Sequence, residues 1–263
     1  MQKRTIVIGG DKRFDYLRKM LCNNDCFPAD YLIENLHNFD KVVLPYPLSF
    51  DGNTLNAPSV DGKLFLSDII SSLSPMQTLF LGGKLPEALR EKVNCKIKYY
   101  TSNEDFLCKN AELTAEGVLK TIIEELPVSL RNTCVRIMGY GRVGSKTAEL
   151  LTAVGCKVCV FERDEDKRYS VSGYSFSEFT TRASLLDCVV NTVPACVLDD
   201  TKIESLRKDC VLIETASAPY GIDFSSADRH GIKTVIAGSL PGKTSPKTAA
   251  EIIYAEISKE DSQ

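Results

Sequence analysis

Residues 133–145 are Thr-Cys-Val-Arg-Ile-Met-Gly-Tyr-Gly-Arg-Val-Gly-Ser, a mostly apolar run followed at once by three closely spaced glycines. An apolar strand, a glycine turn and then helix-forming sequence predict a unit that binds a dinucleotide. Gly139 permits the tight turn, Gly141 lets a pyrophosphate approach the backbone, and Gly144 lets the helix pack closely on the strand. N–H groups at the positive end of the helix would hold the anion. We therefore predict a Rossmann-type domain from about Thr133 onward.

Strand and helix patterns alternate along the whole chain, which is typical of an α/β protein with parallel sheets. In the first half, the pattern predicts strands over 5–8, 41–44, 78–80 and 96–100, and helices over 14–21, 30–38 and 86–92. In the second half, it predicts strands over 134–138, 157–161, 188–191, 211–214 and 233–236, helices over 145–154, 201–208 and 246–258, and a short extra strand within 169–179.

A helix predicted over 113–126 marks the boundary between two domains. Thr114 is a suitable N-cap, Val118 and Ile122 belong to an apolar stripe, and Pro127 follows where the helix should stop. We predict an α/β fold with two lobes, an N-terminal flavodoxin- or Rossmann-like domain and a C-terminal Rossmann domain. The predicted ranges are 1–112 for the N-terminal, substrate-side domain, 113–127 for the connecting helix, 128–245 for the NAD(P)-binding domain, and 246–263 for a C-terminal helix that packs back on the N-terminal domain.

The composition excludes several classes of protein. The chain has 263 residues, 43% of them hydrophobic, which is enough apolar material for two cores. A net charge of −3 offers no basic surface for nucleic acid and no polybasic patch for a membrane. The longest apolar runs, such as 78–81 and 210–213, are far shorter than the roughly 20 residues of a membrane span. The first residues do not resemble a signal peptide, so we expect a cytoplasmic protein.

The ten cysteines are predicted to be buried thiols rather than disulfides or metal ligands. They are scattered along the chain, and only Cys156 and Cys159 form a C-x-x-C pair. That pair lies in a predicted strand, where residues three apart point to opposite faces. With only His37 and His230 as further soft ligands, we predict no metal site.

The residues after the second strand of the Rossmann domain bear on the choice between NAD and NADP. Glu162 stands 23 residues after Gly139, where an acid would bind the ribose hydroxyls and repel a 2′-phosphate. Arg163 follows immediately and could instead bind that phosphate. The two signals conflict, and both cofactors stay open at this point.

Two later strand ends are candidates for the nicotinamide side of the site. They are Asn191-Thr-Val-Pro-Ala195 and Thr215-Ala-Ser-Ala-Pro-Tyr-Gly221, whose small residues and prolines leave room for a flat ring. The predicted cofactor-binding residues are Gly139, Tyr140, Gly141, Arg142, Val143, Gly144, Glu162, Arg163, Asn191, Thr192, Val193, Pro194, Ala216 and Ser217.

Six segments together resemble the A subunits of dipicolinate synthases, and they occur in order along nearly the whole chain. The first, second and last of them are much more specific than the glycine turn. The segments are Gly9-Gly-Asp-Lys-Arg13, Leu44-Pro-Tyr-Pro-Leu-Ser-Phe-Asp-Gly-Asn-Thr-Leu-Asn-Ala-Pro58, Gly139-Tyr-Gly-Arg-Val-Gly144, Asn191-Thr-Val-Pro-Ala195, the stretch from Ala216-Ser217 to Asp223-Phe224, and Gly238-Ser-Leu-Pro-Gly-Lys-Thr-Ser-Pro-Lys-Thr-Ala249.

This resemblance implies a bilobed fold similar to alanine dehydrogenase and adenosylhomocysteinase, with the substrate in the cleft between the lobes. It implies an NADP-linked oxidation of a dihydrodipicolinate-type ring to the aromatic product during sporulation. A flavoprotein-like B subunit is the implied partner, in the cytoplasm of the mother cell, and we also expect a homo-oligomer.

The chain departs from the family pattern at three places. Residues 22–27, Cys-Asn-Asn-Asp-Cys-Phe, replace the expected second strand. Glu162 stands where members of the family generally carry a small residue. Ser239 interrupts a stretch that usually reads Ala-Pro-Gly-Leu-Pro-Gly. These departures bear on the cofactor preference and on the activity.

The implied substrate is a dianion, which needs cations and oriented donors. Arg13 follows a strand and a Gly-Gly turn and could offer a bidentate fork to one carboxylate. Lys243 and Lys247 lie on the loop into the last helix, where either could meet the other carboxylate. The neutral donors predicted to bind the substrate are Ser49, Asn56 and Ser59.

No general base is predicted, because aromatisation of a dihydropyridine supplies much of its own driving force and geometry would carry most of the catalysis. We interpret His37 and His230 as structural. Two other functions stay open at this stage. The chain could be a non-catalytic, cofactor-binding regulatory or assembly subunit, or a different amino- or hydroxy-acid dehydrogenase. The last would need a catalytic histidine with an acidic partner, and we expect no such pair in this chain.

Overall fold

A computed structural model describes residues 4–21, 33–58, 60, 62–181 and 186–259 of the chain. It divides into two compact units, Met1–Lys109 with Ser245–Gln263, and Asn110–Thr244. Each unit contains one parallel sheet with helices packed against it, so the predicted α/β class with two Rossmann-like lobes is confirmed.

The first unit has a four-stranded parallel sheet. Its strands are β1 (Thr5–Val7), β2 (Lys41–Val43), β3 (Thr78–Leu81) and β4 (Lys96–Tyr99), and they neighbour one another in that order. Their bounds lie within one residue of the prediction. Val42, Val43, Leu79 and Phe80 are buried, as continuous apolar runs are in sheets covered on both faces.

The second unit has a five-stranded parallel sheet in the order β6-β5-β7-β8-β9. The strand order reverses between β5 and β7, and such switch points are where open α/β sheets bind ligands. The strands are β5 (Cys134–Met138), β6 (Lys157–Phe161), β7 (Cys188–Asn191), β8 (Val211–Glu214) and β9 (Lys233–Ile236). All five have the predicted bounds.

The helices vary widely in length, from four residues to twenty-two. In chain order they are α1 (Lys12–Leu21), α2 (Leu66–Ser71), α3 (Glu87–Arg90), α4 (Glu104–Glu125), α5 (Arg142–Ala153), α6 (Glu165–Ser170), α7 (Asp200–Glu204), α8 (Phe224–His230), α9 (Leu240–Thr244) and α10 (Pro246–Ser258). The C-terminal helix α10 packs on α1: Ala250 and Ile253 share a buried cluster with Phe14 and Leu17.

The long helix α4 begins at Glu104 rather than near Thr114, so the predicted N-cap is wrong. The Asn103 carboxamide oxygen accepts a hydrogen bond from the Asp105 N–H (3.0 Å) at the true start. The Thr114 hydroxyl donates instead to the Asn110 carbonyl within the helix (2.8 Å). The division between the two compact units falls inside this helix.

The extra strand predicted within 169–179 is also wrong. Tyr174 forms a single parallel bridge with Phe161 at the free edge of β6, and a 3-10 turn, Phe176–Glu178, follows at once. The preceding residues form α6 instead, because the Asp164 carboxylate caps that helix by accepting from the Lys167 N–H. Between α6 and the turn, Ser172 has φ +49°, so the backbone is not extended there and the pairing is limited to Tyr174.

Other helix predictions were longer than the observed helices or missed them. The helices predicted over 86–92 and 201–208 shorten to α3 and α7, and α2, α6, α8 and α9 were not predicted. Within the predicted helix 30–38, residues 30–32 lie outside the described residues, residues 33–35 are helical as predicted, and Leu36–Asn38 form a 3-10 turn. The segment 22–27 also lies outside the described residues.

The eight cysteines that the structure describes are free, with Cys156 buried just before β6 and Cys159 exposed within it. Within the described ranges, no three His, Cys, Asp or Glu side chains are grouped so as to hold a metal ion. No described helix is both long and apolar enough to cross a bilayer.

Thr147 gives a test of packing in the second unit. Its hydroxyl is buried in α5 and has no hydrogen-bond partner among the described residues. Thr147→Val removes this unsatisfied group at nearly constant shape, so we expect it to raise the free energy of unfolding by about 1 kcal/mol. Thr121→Val is the matched control, because the Thr121 hydroxyl donates to the Gly117 carbonyl (2.9 Å) and its loss should destabilise. Denaturant midpoints measure both, and a lower midpoint for Thr147→Val would contradict the assignment.

Candidate dinucleotide-binding site

The glycine turn joins β5 to α5 at the switch point of the second sheet. Gly139 has φ +94°, and a Cβ on it would lie 2.7 Å from the Thr192 hydroxyl and from a Val193 methyl group. A Cβ on Gly144 would overlap the Gly139 carbonyl oxygen, so the helix can begin this close to the turn only with glycine there. A Cβ on Gly141, by contrast, would meet nothing within 4 Å. The backbone is therefore open to an approaching ligand at that position.

The first turn of α5 offers N–H groups to an anion. Gly141 caps the helix, and the first-turn N–H groups of Val143 and Gly144 precede the point at which helical carbonyl partners begin. No acidic side chain lies in that turn, so nothing in it opposes the positive end of the helix dipole. The open space at Gly141 and the orientation of this turn fit the pyrophosphate of a dinucleotide.

Glu162 lies directly after β6, beside the turn, and is only 8% exposed. One carboxylate oxygen accepts from the Tyr140 N–H (2.6 Å), and the other accepts from the N–H groups of Arg163 (2.8 Å) and Asp164 (3.1 Å). Burial opposes ionisation, but these hydrogen bonds outweigh it and hold the pKa of Glu162 below its usual value. Glu162 is therefore a fixed negative charge directly after β6, beside the glycine turn. The Arg163 side chain is exposed.

The second wall of the site is built by the residues after β7 and β8. The Thr192 hydroxyl donates to the Met138 carbonyl (2.8 Å), which ties this wall to the end of β5. Val193 is half-buried and Pro194 exposed, and Ala216 and Ser217 follow the end of β8. Asn191 and Thr192 are thus brought beside the glycine turn.

Sequence reasoning missed Glu214, the last residue of β8. It is completely buried, and its carboxylate accepts from the Asn191 side chain and from the backbone N–H groups of Ala216, Gly221 and Ile222. The available signal was an acidic residue closing an otherwise apolar strand.

In the first unit, Arg13 lies near the carboxyl end of β1 and is 3% exposed. Its guanidinium group forms a bidentate pair with Asp11, with Nε–Oδ1 at 2.9 Å and Nη2–Oδ2 at 2.8 Å, and Nη2 also donates to the Tyr46 carbonyl (2.6 Å). The fork that was predicted to meet a substrate carboxylate is therefore already engaged within the chain.

The loops after β1 and β2 are joined to each other. The Gly10 N–H donates to the Asn56 carbonyl (2.7 Å), and the Asn56 side chain donates to the Pro47 carbonyl (3.0 Å). The structure thus brings Asn56 close to the Gly9–Arg13 segment. The Ser49 hydroxyl is used locally, since it donates to Asp51 (3.0 Å) and accepts from the Gly52 N–H (2.9 Å).

The two predicted lysines are more exposed. Lys243 is exposed on α9. Lys247 is exposed on α10, where its Nζ lies 3.9 Å from a Glu251 carboxylate oxygen. Ser59 lies outside the described residues. None of these positions is tested by the structure, so the substrate assignments stay predictions.

One histidine has an acidic partner that no sequence motif indicated. The His230 Nε2 lies 3.1 Å from Asp200 Oδ1, which also accepts from Arg229 and Ser226. His230 precedes the start of β9, whereas the glycine turn follows the end of β5 in the same parallel sheet. The pair therefore lies toward the opposite end of the sheet and is not placed to act on a ring at the glycine turn. His37 is exposed in its 3-10 turn.

The fold and the glycine turn define a class, the Rossmann-type nucleotide-binding domains. Residues 107–220 match the model of the NAD binding domain of D-isomer specific 2-hydroxyacid dehydrogenases. This match covers less than half of the chain, and it includes β5, the glycine turn, Glu162, the first strand-end segment and the second up to Tyr220.

A curated relative and two solved structures match the chain over nearly its whole length. The chain is 24% identical to the A subunit of dipicolinate synthase from Bacillus subtilis over 98% of its own length and 88% of the relative's. Its structure resembles the crystal structures of the dipicolinate synthase A subunits from Bacillus halodurans (TM-score 0.87, 23% identity, 99% and 98% of the two chains) and from Bacillus subtilis (TM-score 0.83, 22% identity, 100% and 96%). The resemblance predicted from the motifs is confirmed across both units.

The glycines themselves can be tested by their different surroundings. Gly144→Ala should lower the free energy of unfolding by about 2 kcal/mol or more, because the new methyl group overlaps the Gly139 carbonyl oxygen and backbone must move. Gly141→Ala adds the same methyl group in open space at φ −81°, and we expect a change within about 0.5 kcal/mol. Chemical denaturation of both variants measures this, and equal losses of stability would show that the turn is arranged differently.

Proposed function

We propose that this chain is the oxidoreductase subunit of a dipicolinate synthase, which oxidises a dihydrodipicolinate-type ring to dipicolinate during sporulation. The observation that carries the proposal is similarity to dipicolinate synthase A subunits over both units, with the glycine turn built to receive a pyrophosphate. A bound nicotinamide dinucleotide would supply the hydride acceptor. The chain's own residues would bind and orient the ring.

Orientation is the main contribution that the proposal asks of the protein. Loss of a hydride and a proton from a dihydropyridine gains aromaticity, so a strong general base is not required. We assign the two carboxylates of the substrate to the cationic and neutral donors Arg13, Ser49, Asn56, Ser59, Lys243 and Lys247. Arg13 would use Nη1, since Nε and Nη2 already bind Asp11 and Tyr46.

For the cofactor we propose NAD in preference to NADP. The resemblance implies NADP, but the ionised Glu162 supports NAD. Three backbone N–H groups hold its carboxylate in place, and a fixed negative charge at this strand end repels a 2′-phosphate.

Removing the Glu162 charge should change this preference. We expect the unaltered chain to bind NADH more tightly than NADPH, and Glu162→Gln to shift the ratio of the two dissociation constants about tenfold toward NADPH. Glu165→Gln is the control, because it removes a nearby but exposed carboxylate on α6 and should leave the ratio unchanged. Fluorescence titration measures all six constants. Tighter binding of NADPH by the unaltered chain would refute the preference for NAD.

The proposal also includes a partner subunit and a cellular location. The relatives are A subunits by name, which supports a second subunit, and we propose a flavoprotein-like B subunit that acts with this chain. We further propose a homo-oligomeric protein in the mother-cell cytoplasm of a spore-forming bacterium. Its substrate is a small dicarboxylate, not a nucleic acid or a membrane.

The activity can be measured by mixing the chain with the B subunit, a freshly made dihydrodipicolinate precursor and NAD or NADP, and following the absorbance of the product. We expect the unaltered chain to form product.

We expect Lys243→Ala to raise the KM for the precursor about tenfold, because the variant lacks a charged donor to a substrate carboxylate. Lys120→Ala on the exposed face of α4 is the control and should have no effect. An unchanged KM in Lys243→Ala would remove that lysine from the site.

A second candidate, a non-catalytic dinucleotide-binding regulatory or assembly subunit, is favoured by one observation. The Arg13 fork is closed on Asp11 rather than left open for a carboxylate. Dinucleotide binding without product, with either NAD or NADP and with the B subunit present, would favour this candidate over the enzyme.

A further inference from the structure

Glu214 is a buried carboxylate whose four hydrogen bonds all come from N–H donors of the chain. Oε1 accepts from Asn191 Nδ2 (2.7 Å) and from the Ala216 N–H (2.9 Å). Oε2 accepts from the N–H groups of Gly221 (2.8 Å) and Ile222 (3.1 Å). Both oxygens are therefore saturated by donors, and only a group that accepts at every site satisfies this arrangement.

The Asn191 side chain continues the network to the neighbouring strand end. Its Nδ2 also donates to the Val193 carbonyl (3.0 Å), and its Oδ1 accepts from the Val193 N–H (3.2 Å). The Asn191 backbone carbonyl accepts from the Thr215 N–H (3.0 Å) and hydroxyl (2.6 Å). Asn191 and Glu214 thus hold the first residues of both loops.

The two loops also bind each other. The Gly221 carbonyl accepts from the N–H groups of Val197 (3.0 Å) and Leu198 (2.9 Å), and Leu198 pairs with Ile222. A Cβ on Gly221 would overlap the Asn191 side chain, so the loop after β8 lies directly on the network. Loop 192–198 and loop 215–222 therefore form one hydrogen-bonded unit with Glu214 inside it.

This unit reaches the glycine turn through Thr192. The Thr192 hydroxyl bonds the Met138 carbonyl and occupies the space that a side chain at Gly139 would need. A shift of loop 192–198 would therefore move the wall against which the turn is packed.

We propose that Glu214 is a positioning residue for the dinucleotide site: its carboxylate fixes loops 192–198 and 215–222 against the glycine turn. The proposal rests on the proposed dinucleotide-binding function. Glu214 does not touch the ligand; it acts through Asn191, Thr192 and the two loops. A glutamine in its place would turn an amide NH₂ group toward two N–H donors, and the loops could not keep their positions.

The test compares Glu214→Gln with Asp187→Asn in the full-length chain. Asp187 is the matched control because its carboxylate accepts from the Cys134 N–H (2.8 Å) at the opposite, amino-terminal end of the same sheet. Both variants lose a charged acceptor for backbone N–H groups, and both should be destabilised. We expect only Glu214→Gln to raise the Kd for NADH, by about tenfold. We also expect its amide hydrogens to exchange faster in residues 192–198 and 215–222 but not in 134–138.

Equal effects of the two variants on the Kd, or no effect of Glu214→Gln, would overturn the positioning role while leaving the proposed function intact. Failure of the unaltered chain to bind either NADH or NADPH would overturn both proposals. If Glu214→Gln does not fold, Glu214→Asp replaces it, since Asp keeps the carboxylate one methylene shorter. We expect that variant to raise the Kd about threefold, and a Kd equal to that of the unaltered chain would refute the role.

Discussion

The second unit depends on the close packing of the first turn of α5 against the end of β5. Gly139 and Gly144 meet there without side chains, and Thr192 from the neighbouring strand fills the space beside them. A methyl group on Gly144 would push α5 away from the end of β5. A methyl group on Gly139 would push the turn away from Thr192 and Val193. This packing leaves the first-turn N–H groups of α5 next to Gly141. Among the three glycines of the turn, only Gly141 has open space where a Cβ would lie. The anion site thus follows from a steric constraint on the backbone.

Two carboxylates hold the loops beside this turn. In the strand order β6-β5-β7-β8, Glu162 follows β6, the neighbour of β5 on one side, and Glu214 ends β8, two strands from β5 on the other side. Each accepts only N–H groups, and each holds a loop that borders the turn. The negative charge of Glu162 disfavours further anions nearby, so the N–H groups and dipole of α5 would have to supply the attraction for a pyrophosphate. The same charge is the basis of the proposed preference for NAD over NADP.

The buried strands and the glycine turn were predictable, and the polar networks were not. The five strands of the second sheet have the predicted bounds because continuous apolar runs between turn residues identify buried parallel strands. Short helices such as α2 and α8 escaped prediction because tertiary packing, not helix periodicity, supports them. The sequence predicts Thr114 as an N-cap because threonine is common at that position. Within a helix, however, a threonine hydroxyl can also donate a hydrogen bond to the carbonyl four residues earlier. Residue type alone does not distinguish these two uses.

The roles of the functional side chains are even harder to predict from residue type alone. Arg13 has the chemistry to bind a carboxylate, but Asp11 two residues earlier provides one within the chain. His230 finds Asp200, thirty residues away in sequence, because two short helices meet. Glu214 resembles an ordinary strand-end charge until the loop that contains Gly221 folds over it. In each case the partner decides the role, and the chain topology selects the partner. The glycine turn was readable because its function depends on backbone geometry, which three glycines specify locally, whereas a carboxylate acquires its function only from the donors that surround it.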